Sequence, residues 1–237
     1  LVAPSVAAQE SSTRLVVRVL AHDAKLIGSG VGGARVTVRD AASGAVLAEG
    51  VQEGGTGSTD AIVRQPVERG ATVFDTEGAA SFLAALELDE PTLVEVLVEG
   101  PLGVDHATRR ASRTLLMVPG VHVDGEGLVV ELNGFTVELL EVEEGDREVP
   151  VRARVTMLCG CPTEPGGLWD ADRFRVVARL VSEGRVVSES ELEFSGETSV
   201  YTGSVASPGP GTYELQVLAL DPERANTGMA RREITLR

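Results

Sequence analysis

Lysine is nearly missing: of 21 basic residues only Lys25 is a lysine, and the basic side is outnumbered by 36 acidic residues, for a formal net charge of −15. Phosphate binding needs a basic surface that releases counterions, so a nucleic-acid partner is excluded, and so is adsorption to anionic lipid. The acidity reads first as plain solubility, and beyond that as divalent-cation binding or life in a salty medium. No apolar run approaches the roughly 18 residues of a membrane span, so no membrane insertion is expected. Only two cysteines are present, two positions apart, and such a pair cannot staple distant strands. Catalytic signatures are absent too. There is no Gly-x-Ser-x-Gly elbow, and His22, His106 and His122 are scattered without metal-ligand spacing.

What is present is architecture. The 237 residues suffice for one large domain or two smaller ones, each able to bury a core without metals or a disulfide lattice. The chain opens at Leu1 without a methionine. Residues 1–10 read as an N-terminal arm or the remnant of a signal peptide, with Val6 and Ala8 at its small-residue positions and cleavage before Gln9.

Period-two alternation recurs along the chain, and no long stretch has helical periodicity. Strands are expected at 13–20, 34–39, 45–49, 79–88, 92–99 and 114–118. A second set is expected at 128–132, 135–142, 150–159, 174–182, 185–194, 200–205, 213–220 and 231–236. Pro119-Gly120 is taken as the boundary between two domains, and Glu183-Gly184 as a hairpin turn. Val51 to Thr76 breaks the pattern as a glycine-rich inserted loop with a short helix near Asp60–Arg64. Its Gly54–Ser58 run lacks the Lys-Ser/Thr pair of a phosphate loop. The expected core includes Val151, Val155, Val176, Ala178, Leu215 and Val217.

Two resemblances follow from particular residues. Gly33–Asp40, Gly44–Glu49 and Thr76–Phe82 are similar to the strand, hairpin and return strand of the carboxypeptidase regulatory-like and transthyretin-like β-sandwiches, with 51–76 as an insertion. Gly211–Val217 and Ala219–Gly228 resemble the penultimate strand and last hairpin of bacterial immunoglobulin-like surface modules. That second resemblance puts Tyr213 at a tyrosine corner, with its hydroxyl bonded within Ser207–Gly211. Neither family supplies a catalytic residue.

One run carries chemistry. Met157, Cys159 and Cys161 fall on one face if the strand continues, as a soft-ligand set suited to copper. The rival is a Cys159–Cys161 disulfide, which requires a bend at Gly160 because extended i and i+2 positions lie about 6.6 Å apart. Plain core packing is a third reading. Trp169, the sole tryptophan, is either an exposed binding anchor or a buried sandwich residue. Asp221, Glu223 and Asn226 offer oxygen ligands for calcium in the last hairpin, though not at EF-hand spacing. Glu143-Glu144 and Asp170 with Asp172 read as solvated turn carboxylates.

The expectation is an all-β chain of two consecutive antiparallel, immunoglobulin-like β-sandwich domains, 11–119 and 120–237. Its role is that of a secreted, periplasmic or cell-surface protein that binds or assembles without catalysis, as a bacterial fibre or adhesion component. It would engage protein partners or copies of itself and need no cofactor. The alternative is a periplasmic copper-handling or thiol-redox accessory protein using Met157, Cys159 and Cys161.

Overall fold

The computed structural model describes residues 12–143, 145 and 147–237; the leader reading of 1–10 and the residue Glu144 lie outside them. The alternation does become strands. In β1 (Thr13–Ala21) Leu15, Val17 and Val19 point inward, and in β5 (Thr92–Gly100) Val94, Val96 and Val98 do, all of them fully buried. The first three-stranded sheet runs β4 (Phe82–Leu86), β1, β7 (Val123–Leu132). It faces a four-stranded sheet of β3 (Val46–Gln52), β2 (Ala34–Asp40), β5 and β6 (Arg109–Met117). The outer face of that second sheet carries cross-strand ion pairs, Arg35–Glu49, Arg39–Glu95 and Arg110–Glu99, which keep it solvated.

A second pair of sheets follows. One is β12 (Glu193–Phe194), β13 (Val200–Ala206), β9 (Glu148–Met157), β8 (Phe135–Val142). The other is β11 (Arg185–Glu191), β10 (Arg175–Ser182), β14 (Gly211–Asp221), β15 (Asn226–Leu236). The chain is therefore all-β, organised as two sandwich-like sheet pairs in tandem. Glu183 and Gly184 join β10 to β11 with φ of 50° and 74°, the two positive values that a twisted two-residue hairpin turn requires.

Four expectations need correction. One pairing is not antiparallel: β7 runs parallel to β1, from Leu15–Val123 to Ala21–Leu132. Consequently 128–132 belongs with the first sheets, and the chain changes over at Asn133-Gly134. Pro119-Gly120 is only a tight turn, closed by Val121 N–H on Val118 O at 2.9 Å, with Gly120 at φ 75°, and it returns the chain to the same sheets. The run 185–194 is split at Leu192, whose buried side chain marks the crossing from one sheet to the other. The last strand begins at Asn226, five residues before Arg231.

Val151, Val155, Val176, Ala178, Leu215 and Val217 are all 2% exposed or less. Each large member contributes about 1.5–3 kcal/mol by leaving water. The apolar cluster runs unbroken from Leu15 to Leu236 through both sheet pairs, with Phe135 stacked edge-on against Phe174 at 4.9 Å near the changeover.

Candidate functional site: a pinned strap and a clamped elbow

The inserted stretch 51–76 lies as a strap across the outer face of the first sheet. Isolated bridges tie Glu53 to Ser81 and Gly55 to Ala79, and Asp60–Arg64 forms a single wide helical turn where the short helix was expected. Gly54 N–H is used by Ser29 Oγ and Gly55 N–H by Gly78 O, so the glycine run presents no phosphate cradle. Ile62, Phe74 and Ala79 pack with Leu20, Leu26, Ala80 and Val129 in a small apolar cluster of their own.

Two side chains fix the strap. Arg18 occupies an outward position on β1, yet its side chain is only 4% exposed. Its guanidinium reaches Asp75 Oδ1 at 2.5 Å and donates to the carbonyls of Ala80 at 3.1 Å and Gly125 at 3.2 Å. From the irregular first half of β7, where the register against β1 jumps from Val123 to Leu128, the Glu126 carboxylate accepts the N–H groups of Val73, Phe74 and Asp75 at 3.1, 2.8 and 3.0 Å. Bonds to a charged acceptor are worth more than neutral ones. The result is a held loop with a recess of about 370 Å³ beside it, walled by Ile62, Val63, Val67 and Phe74. His22 and Glu131, 2.6 Å apart, stand on its rim.

The elbow between the sheet pairs gathers most of the residues the sequence singled out. β9 stops at Met157 and does not continue to Cys161. Gly160 N–H returns to Met157 O at 2.8 Å and Met157 N–H donates to Cys161 O at 3.0 Å, with Gly160 at φ 78°. Cys159 and Cys161 are joined as a disulfide, their Cα atoms 5.4 Å apart, and both are buried along with Met157. The bend thus gathers Met157, Cys159 and Cys161 in one buried turn, with the two cysteine sulfurs facing each other. This turn presses on the first sheet pair: a Cβ on Gly160 would lie 2.8 Å from Val31 Cγ1.

Trp169 is buried, and its indole N–H donates to Asp23 O at 2.9 Å. It clamps the elbow and offers little ring surface to a ligand. Arg224 pairs with the Asp23 carboxylate at 2.7 Å. Asn226, fully buried, accepts Gly134 N–H at 2.7 Å and donates to His22 O at 3.2 Å. The oxygens considered for calcium therefore have protein partners: Asp221 accepts Arg224 N–H and Glu223 pairs with Arg173. Asp170, another turn carboxylate, accepts the N–H groups of Gly166 and Asp172. The histidines stay apart. His22 meets Glu131, His106 donates Nε2–H to Val137 O at 2.6 Å, and His122 Nδ1 accepts Arg14 N–H at 3.1 Å. Tyr213 hydroxyl donates to Gly209 O at 3.2 Å, within the stretch expected for it.

Sequence reasoning missed three residues that organise the site, Arg18, Gln52 and Glu126, and gave a fourth, Asn226, the role of a calcium oxygen. Gln52 is buried at the end of β3 and reaches across to β1. It accepts Val19 N–H at 2.6 Å and donates to Val19 O at 3.0 Å and Ile27 O at 2.8 Å. Only Arg18 left a trace in the sequence, as a charge inside an apolar run, and that trace also fits an ordinary outward position.

Among the described residues no group of three or more His, Cys, Asp or Glu is placed to hold a metal ion. No helix among them is long and apolar enough to cross a membrane. The class defined by fold and site is thus a tandem β-sandwich protein with a recessed surface and no assembled catalytic group among those residues. No protein-family model matches the chain, and neither does any curated protein. Among solved structures it is similar to a DUF3823 family protein from Parabacteroides merdae, at 10% identity and a TM-score of 0.30, covering 97% of this chain and 100% of that one. A putative carbohydrate binding protein from Bacteroides uniformis gives 11% identity and a TM-score of 0.30, covering 95% and 99%. The chicken interferon gamma receptor alpha chain gives 12% and 0.31, covering 86% and 84%. The fold assignment stands on the strand pairing itself.

Proposed function

We propose that this chain is a secreted, non-catalytic β-sandwich module of the cell surface that binds a protein partner at the recess beside the strap. In its finer form the reading is of an adhesion or fibre component. The observation that supports it is the strap: a long insertion held by a buried arginine and a three-fold carboxylate anchor, with apolar side chains left facing a recess. An insertion without a task has no need of such fixing, and loops on rigid scaffolds are where binding surfaces are built. Val67, 63% exposed at the lip, is the natural contact.

The test is a photo-crosslinking residue placed at Val67, with another at Val186 on the distant β10–β11 hairpin as control, in the protein displayed by its host cells. The expected result is one discrete adduct at Val67, absent at Val186 and weakened by Phe74→Ser. Equal, diffuse labelling from both positions, or retention of the protein inside the cell, would defeat the reading.

A further inference from the structure

The second sheet pair has an open side. Among the described residues β8 is bonded only to β9 and β15 only to β14, so each is the edge of its sheet there, and the two edges lie next to each other. They touch at Gly228, where an added Cβ would sit 2.6 Å from Phe135 O. Further along they leave a recess of about 620 Å³ lined by His106, Glu138, Leu139, Met229, Arg231 and Arg232. No residue of the strap contributes to it.

Backbone direction on both walls follows from two observed bonds. Val137 O points away from β9, since His106 Nε2–H reaches it, so Leu139, two residues on, turns its N–H and C=O the same way. Thr227 O points away from β14, since Arg109 donates to it at 3.4 Å, so Met229 and Arg231 also direct theirs to the open side. Both walls thus present strand-edge donors and acceptors. An exposed edge is a template for another strand.

The charge of the recess runs against that of the protein. In a chain with 36 acidic and 21 basic residues, its walls carry Arg231 and Arg232 against Glu138 alone. Glu138 already lies 3.8 Å from Arg154. Arg231 has only a 3.9 Å approach to Glu214, and Arg232 has no ion-pair partner among the described residues. Leu139 and Met229 add apolar surface between the charges. An arginine at an inward position of an edge strand, as Arg232 is, discourages indiscriminate sheet growth and favours a segment that brings its own carboxylate.

We infer that the slot between β8 and β15 receives an extended, acidic peptide segment of a partner protein, added as a strand and read by Arg231 and Arg232. Main-chain bonds supply the hold and the arginines the selectivity.

The probes are fluorescent octapeptides of alternating glutamate and valine, the same with lysine for glutamate, and the glutamate peptide with alternate amides N-methylated. The glutamate peptide should bind, more weakly as salt rises, and the other two should not. Arg231→Glu/Arg232→Glu should weaken binding by about tenfold or more, because like charges then face each other. The milder Arg232→Gln should give a smaller loss, with circular dichroism unchanged in both. Equal binding of the lysine peptide, indifference to N-methylation, or unchanged affinity in the reversed variant would overturn the inference. Self-association lost in that variant, without peptide binding, would overturn it in favour of a second copy of the chain.

Discussion

The two sheet pairs are built from similar strands and held by different means. The second closes its centre by apolar alternation: Val151, Ala153, Val155, Leu215, Val217 and Ala219 meet between its sheets, and its buried polar groups gather at the elbow end, where Thr163 bonds Val155 O, Tyr201 and Ser199. The first uses polar side chains as structural pins. Gln52 ties β3 to β1, Arg18 and Glu126 tie the strap to the sheet, and each satisfies several backbone groups at once. Buried hydrogen bonds add little net stability when made but cost heavily when one partner is removed. The first pair should therefore fail through single polar changes, and the second through lost volume.

The sharpest break of this contrast is Gln52→Leu. The shape is nearly kept, but Val19 N–H and Ile27 O lose their partner, while Val19 O keeps the Ile27 N–H at 2.9 Å. The expected cost is about 2–6 kcal/mol, at about 1–3 for each of the two orphaned groups. Hydrogen exchange should rise first in β1, β2 and β3; a loss below about 1 kcal/mol would mean that water replaces the amide. In the second pair, Leu215→Ala should cost about 2–5 kcal/mol by transfer and cavity terms, read by denaturant unfolding, with exchange rising first in β10 and β14.

The strap separates charge from packing. Asp75→Ala leaves the Arg18 cation buried with only carbonyl partners, whereas Arg18→Met removes the charge and keeps the bulk. Asp75→Ala is expected to cost about 1–3 kcal/mol and Arg18→Met less, since an unpaired buried charge is worse than none. The reverse order in thermal unfolding would show that the ion pair is not what holds the strap.

The smallest effect is expected at Tyr213. Its ring is half-buried, so the bond to Gly209 O is partly open to water. Tyr213→Phe should cost about 0.5–1.5 kcal/mol, less than a fully buried tyrosine corner would. A larger loss, measured by urea unfolding, would place the hydroxyl in a drier setting.

Legibility in the sequence follows the same division. Strands of the second pair could be read because alternation is the force that closes them, as at Phe135–Val142 and Val200–Ala206. The hairpin at Glu183-Gly184 was readable because its turn is local. What escaped was non-local. The parallel pairing of β7 with β1 leaves no mark in either strand, and a proline-glycine turn looks the same inside a unit as between units. Asn226 read as a calcium oxygen of the last hairpin, because its partners, Gly134 and His22, lie 92 and 204 positions away. For the sulfur pair the sequence left an extended strand face, a disulfide across a bend at Gly160 and plain core packing open, because only the backbone decides whether the strand continues past Met157; it bends at Gly160.

The parallel β1–β7 ladder also has a mechanical meaning. Thr13 lies at the end of β1 nearest Val123, whereas Leu132 lies at the opposite end of the ladder, from which the chain continues into β8. Tension that draws Thr13 and Leu132 apart slides the two strands past each other, so the bonds from Leu15–Val123 to Ala21–Leu132 share the load together. A hairpin pulled at its open end gives way one rung at a time. Along that line of force, the first pair of sheets behaves as a shear joint.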